Sequence, residues 1–196
     1  GRNTLCFFDP AMQAAASARS ALEGDIRQGL ARNEFLLHYQ PVVNEQGEVM
    51  GAEALVRWMH PQRGMVSPGE FIPLAEQTGL ILPLGRLVMR LACEQLALWA
   101  AMPRTAGWSV SVNVSAKQFH HTHFVEHIHD VLAATGMEPT ALNLEITESV
   151  VLGNTEDTIN KLMTKIIATV VIKTDRSDGI HRESSAWILG NNGRLV

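Results

Sequence analysis

Ser109-Val110-Ser111-Val112-Asn113-Val114 alternates polar and apolar side chains without a break. Strict alternation marks a strand with one face buried. Leu142-Asn143-Leu144-Glu145-Ile146-Thr147 repeats the pattern further on. Between the two, Phe119 to Ala134 reads as a helix closed by Gly136. Upstream, Leu36 to Val43 is strand-like, Asn44-Glu45-Gln46-Gly47 is a turn, and a second strand runs from Val49 to about Trp58. The pair reads as a hairpin. Ser67-Pro68-Gly69-Glu70 has the residues of a capping box and opens a short helix that ends near Gly79. Leu84, Leu87, Val88, Leu91, Leu98 and Trp99 follow the 3.6 period of a long amphipathic helix. Asn154-Thr155-Glu156-Asp157 caps another helix to about Ile166, and Ala168 to Ile172 suits a fifth strand. Strands alternating with helices at this spacing predict an α/β fold built of parallel βα units.

The two ends read differently. Asn3 to Phe8 is a short apolar run, and Asp9-Pro10 is a helix start, with Asp as N-cap and Pro at the first helical position. In the alanine-rich stretch from Ala11 to Arg32, Leu22, Ile26 and Leu30 recur every four residues. One packing stripe fits a connecting helix better than a core helix. Beyond Asp175 no period survives, although Ala186-Trp187-Ile188-Leu189 is a small apolar cluster.

Composition narrows the class. The chain has 196 residues, 16 Lys+Arg against 20 Asp+Glu, and a formal net charge of -4. That excludes a strongly basic nucleic-acid binder, so no DNA partner is expected. The cysteines, Cys6 and Cys93, are too few and too far apart for a disulfide framework or a zinc-finger spacing. No apolar run reaches the roughly 18 residues of a membrane helix. The expectation is a cytoplasmic protein in a reducing compartment.

Alternate strand residues share a face. Glu53, Leu55 and Arg57 therefore lie together, as do Ser111, Asn113 and Ser115, and again Asn143, Glu145 and Thr147. In one parallel sheet, Glu53, Asn113 and Glu145 either converge near the strand ends or face water as ordinary terminal polar groups. Converged, two carboxylates and an amide oxygen suit a hard cation such as Mg²⁺ or Mn²⁺. Arg57, further along, suits a phosphate.

Glu53-Ala54-Leu55-Val56-Arg57-Trp58 resembles the signature of the EAL family of cyclic-di-GMP phosphodiesterases. Tyr39-Gln40-Pro41-Val42, Phe71 to Gly79, Asn113-Val114-Ser115 and Leu144-Glu145-Ile146-Thr147-Glu148 match further motifs in the same order. The resemblance covers roughly residues 22 to 163. It implies a TIM-like (β/α) barrel whose first strand runs antiparallel to the rest. It implies metal-dependent hydrolysis of cyclic-di-GMP to linear pGpG, with Mg²⁺ or Mn²⁺ as cofactor and Ca²⁺ as inhibitor. By motif match, Glu53, Asn113 and Glu145 are metal ligands. Glu53, Glu145 and Glu148 form the catalytic set, Glu148 supporting a substrate and metal loop. Gln40, Leu55 and Arg57 contact the nucleotide.

Residues 1 to 12 resemble the end of a GGDEF domain and its connector. The resulting division is 1–32 connector, 33–166 N-terminal part of an EAL domain, and 167–196 a non-matching tail. The family's Asp-Asp-Phe-Gly-Thr-Gly motif has no counterpart. Asp175 falls near its first aspartate as a metal ligand, and Arg176 at the second cannot ligate. The expectation is therefore a partial barrel of four or five strands out of eight, truncated, with weak or absent hydrolysis alone. A degenerate cyclic-di-GMP-binding or protein-interaction module and a non-functional remnant are the alternatives. An open sheet edge would invite self-association. Separately, His120, His121, His123, His127 and His129 crowd one stretch. The spacing of His123 and His127 suits Zn²⁺ or Ni²⁺ on a helix, or merely a solvated face.

Overall fold

The computed structural model describes residues 10–147, 169–173 and 187–189. Helix α1 spans Pro10–Ala31 and begins on proline, as the sequence leads one to expect. Only Ile26 and Gly29 are buried along it, with Leu22 and Leu30 packed at the margin of the core. It is a helix with one narrow packing stripe. The turn after it places Asn33 at φ 57°, a left-handed conformation that asparagine tolerates better than most residues.

Strand β1 (Phe35–Val43) pairs antiparallel with β2 (Val49–His60), and the short β3 (Gly64–Val66) folds back on the end of β2. Helices α2 (Pro68–Thr78) and α3 (Ile81–Ala100) then cross back over the sheet. Strands β4 (Ser109–Asn113), β5 (Leu142–Thr147) and β6 (Thr169–Lys173) add in parallel, in the order β2-β4-β5-β6. The antiparallel first strand, the parallel remainder and the fifth strand agree with expectation. Helices α4 (Ala116–Phe119) and α5 (Phe124–Thr135) connect β4 to β5. Strand β7 (Trp187–Leu189) runs antiparallel along β6. The edge expected to be open therefore carries a partner over Val170–Ile172.

Three local expectations need correction. Ser67 is the N-cap of α2, but its side chain makes no cap hydrogen bond. Glu70 is drawn instead to Arg63 across the β3 turn. The helix expected from Phe119 to Ala134 is two helices, because His120 to His123 form a turn between them. Strand β2 runs two residues past Trp58, its end held by β3. The helix expected from Asn154, and residues Glu148 and Asp175, lie outside the described residues.

The alternation in β4 decides which face is polar. Val110 and Val112 are fully buried under the helices, each contributing roughly 1.5–3 kcal/mol by burial. Ser111 and Asn113 point to the opposite face, the interior of the curved sheet. Helix α3 covers the outer face with Leu84, Val88, Ala92 and Leu96. Cys93 sits there at 0% exposure, a small core residue as expected. Burial, with Glu94 beside it, pushes its thiol up to about 11. Tyr39 packs edge-on against Trp99, which packs against Trp108, with ring centres 5.0 and 5.4 Å apart. These aromatics are packing, not stacking platforms. Burial pushes the Tyr39 phenol up to about 12, with smaller contributions from Cys93 and Glu94.

Candidate active site

The strand register brings Gln40, Glu53, Leu55, Asn113 and Glu145 onto one surface; Glu148 and Asp175 lie outside the described residues. Gln40 lies opposite Glu53, and His38 opposite Leu55, across β1 and β2. Glu53 is level with Ser111 in β4, and Asn113 is level with Glu145 in β5. All of these side chains lie on the interior face. Asn113 reaches back along that face and donates Nδ2–H to Glu53 Oε1 at 2.7 Å. Lower on the same face, Asn143 donates toward the Ser109 and Ser111 hydroxyls at 3.3 and 3.5 Å. The interior is therefore polar from Ser109 to Glu145. Barrel interiors are ordinarily filled with bulky apolar residues, so this polarity calls for a functional account.

Leu55, Arg57, Asn113 and Glu145 all line a cavity of about 360 Å³ at the C-terminal ends of β2, β4 and β5. Pro68 and Ile72 from α2 form part of its apolar wall. Glu145 is 9% exposed, whereas Asn113 stands in the open. Arg57 is half-buried and donates Nη1–H to the Val56 carbonyl at 2.9 Å. Glu53 lies beside this cavity rather than in its lining, joined to it through Asn113. Gln40 is exposed on β1, next to Glu53. A larger hollow of about 570 Å³ between α1 and α2 lies away from the strand ends. Its charged and polar groups satisfy each other, Arg19 with Gln77 and Arg63 with Glu70.

Among the described residues no three His, Cys, Asp or Glu side chains gather to hold a metal ion. The set at the strand ends has a different composition: two carboxylates bracketing an amide. An amide that donates through nitrogen keeps its carbonyl oxygen as an acceptor. The donors are thus all oxygen, which fits Mg²⁺ or Mn²⁺ and not a metal that prefers nitrogen or sulfur. The histidine stretch does not compete. His123 stands at the N-cap of α5 with Nδ1 2.7 Å from Glu126 Oε2, on the surface. His127 is held below the usual histidine range by burial and by the Arg86 guanidinium.

Ser115, already on the face read from the sequence, lines the cavity too, and with it two residues that the sequence reading did not single out, Gln118 and Gly85. An isolated glycine inside the amphipathic pattern of α3 was the available signal.

Residues 23–170 match the family model of the EAL domain. The chain belongs to the EAL family. It is 46% identical over 150 residues to MucR of Pseudomonas aeruginosa, a bifunctional diguanylate cyclase/cyclic di-GMP phosphodiesterase, spanning 76% of this chain and 22% of MucR. It is 36% identical over 156 residues to the cyclic di-GMP phosphodiesterase PdeR of Escherichia coli, spanning 80% of this chain and 23% of PdeR. Among solved structures, the MucR phosphodiesterase in complex with cyclic di-GMP superposes with a TM-score of 0.74 at 39% identity, covering 83% of this chain and 66% of that one. The EAL enzyme Bd1971, with cAMP and cyclic di-GMP bound, gives 0.75 at 28% identity, covering 85% and 46%. The chain spans about a fifth of the length of these curated relatives. Its fold is part of a TIM-like EAL barrel. No helix among the described residues is long and apolar enough to cross a membrane.

Proposed function

We propose that this chain binds cyclic-di-GMP at the C-terminal ends of β2, β4 and β5 together with Mg²⁺ or Mn²⁺, as an EAL-type phosphodiesterase site. The observation that carries this reading is the Glu53–Asn113 hydrogen bond, with Glu145 level with Asn113 and Arg57 in the adjoining cavity. Glu53, Asn113 and Glu145 hold the cation. Arg57 takes a phosphate by charge-assisted hydrogen bonds. Leu55 and Gln40 contact the rest of the nucleotide. A cation held there would supply Lewis-acid polarisation of the phosphodiester and a more acidic water. Glu53 and Glu145 would set its position against the phosphate that Arg57 holds. The overall reaction adds water across one P–O3′ bond, the 3′-oxygen leaving with a proton, and gives linear pGpG. Glu148 and Asp175 are proposed to extend the same site from outside the described residues. The connector takes residues 1–32, the EAL portion 33–166 and the tail 167–196. The family match over 23–170 supports the middle segment and takes in the last turns of α1. The chain works in the cytoplasm.

A second reading is a receptor-type module that binds without cleaving. The donor set among the described residues, one amide and two carboxylates, favours it, because a two-metal reaction needs more ligands than these. Calorimetric titration with cyclic-di-GMP, in Ca²⁺ to suppress turnover, tests what the readings share. Saturable binding is expected, weakened about tenfold or more in Arg57→Ala through loss of a charged hydrogen bond. No heat for the folded wild type contradicts both readings. A cleavage assay in Mn²⁺ on the same preparation then separates enzyme from receptor.

A further inference from the structure

Asn113 ends β4, and a single hydrogen bond holds the next residue to the sheet: Val114 N–H to the Glu145 carbonyl at 2.9 Å. What fixes the chain after that is α4. Ser115 is its N-cap in a complete capping box. Ser115 Oγ accepts from the Gln118 backbone N–H at 3.3 Å. Gln118 Oε1 accepts from the Ser115 N–H at 3.0 Å and from its hydroxyl at 2.8 Å. A helix of one turn has little stability of its own, so this box needs an outside anchor. Gln118 supplies it, being 8% exposed and seated directly on α3 at Gly85. A Cβ on Gly85 would stand 1.7 Å from Gln118 Nε2. Glycine costs a helix interior up to about 1 kcal/mol relative to alanine, and here it opens a slot that Gln118 fills. Lys117 adds a second tie, donating Nζ–H to the Glu76 carbonyl near the end of α2 at 2.9 Å.

We propose that Gln118, seated in the slot over Gly85, is a positioning residue for Asn113. It touches no reacting atom. Through Ser115 it fixes where β4 stops, and so where the Asn113 amide meets Glu53. The consequence for cation binding rests on the proposed role of Asn113 as a ligand; the positioning itself does not.

The test uses the whole chain and two readouts. The first is the side-chain amide signal of Asn113 in nitrogen-15 NMR, which reports its hydrogen bond to Glu53 without any metal. The second is the Mn²⁺ dissociation constant by electron paramagnetic resonance. Gln118→Ala and Gly85→Ala are each expected to move the Asn113 amide signal and to weaken Mn²⁺ binding about tenfold, the scale found for residues that orient a ligand. Gln118→Glu keeps an acceptor for Ser115 and is expected to restore both. The double variant Gly85→Ala/Gln118→Ala is expected to be no worse than Gln118→Ala alone, because the glycine acts only through the glutamine. Val131→Ala, a core truncation in α5, controls for lost stability and should leave the amide signal in place. An unmoved Asn113 signal in Gln118→Ala or Gly85→Ala overturns the proposal, as does additivity in the double variant. A moved signal in a chain whose wild type binds no Mn²⁺ upholds the positioning and overturns the cation site instead.

Discussion

Glu53→Ala is expected to abolish any Mg²⁺- or Mn²⁺-dependent cleavage of cyclic-di-GMP and to weaken Mn²⁺ binding on the order of 100-fold. The reason lies in how few donors among the described residues share the load. Glu53 is one of two carboxylates in the set, and it also holds the Asn113 amide at 2.7 Å. Removing it deletes one ligand and releases another. Stability should move the opposite way or not at all. Glu53 and Glu145 flank the same asparagine, so deleting one negative charge relieves repulsion in the metal-free protein. A variant that unfolds no earlier than wild type yet binds Mn²⁺ far more weakly is the expected pattern, since functional sites are commonly held at some cost in stability. Retained turnover, or unchanged Mn²⁺ affinity in a folded Glu53→Ala protein, refutes the assigned site.

Trp58→Ala is expected to remove about 3–5 kcal/mol of stability, a large part of the roughly 5–15 kcal/mol of a typical domain. Trp58 has 0% exposure. Its ring stacks on Phe35 with centres 5.2 Å apart and meets Phe71 edge-on at 5.7 Å. Its indole N–H donates to Glu34 Oε2 at 3.1 Å. Gly29 of α1 approaches so closely that a Cβ there would lie 2.9 Å from the indole nitrogen. The cavity left by alanine would therefore open under α1, β1 and α2 together, and Glu34 would lose its donor. Trp58→Phe keeps most of the packing and should lose only about 1–3 kcal/mol. Urea unfolding followed by far-ultraviolet circular dichroism measures both. A loss below about 1 kcal/mol for Trp58→Ala would mean that α1 is not seated on this ring.

What the sequence made legible follows from how strongly each feature is specified locally. The alternation in β4 and β5 marked both their strand character and their polar face, because a one-residue slip would turn Asn113 toward the helices and Val112 away from them. The Leu22–Ile26–Leu30 spacing located the packing stripe of α1. The capping box at Ser67 failed because Glu70 had a better partner, Arg63, that is distant in local pattern but close across the β3 turn. The break between α4 and α5 was hidden because the residues from His120 to His123 do not themselves forbid a helix. The capping box that does form, at Ser115, depends on Gln118 finding a slot in α3. Nothing within Ser115 to Gln118 announces that slot; it belongs to Gly85, far earlier in the chain. The shared face of the candidate residues on strands was thus readable from period. Those acting across helices needed the three-dimensional packing.

The most direct measurement is titration of nitrogen-15-labelled protein with substoichiometric Mn²⁺, reading which backbone amides broaden. The account predicts broadening centred on Glu53, Asn113 and Glu145, reversed by excess Mg²⁺. Broadening confined to the surface histidines from His120 to His129, or none at the strand ends, would contradict it.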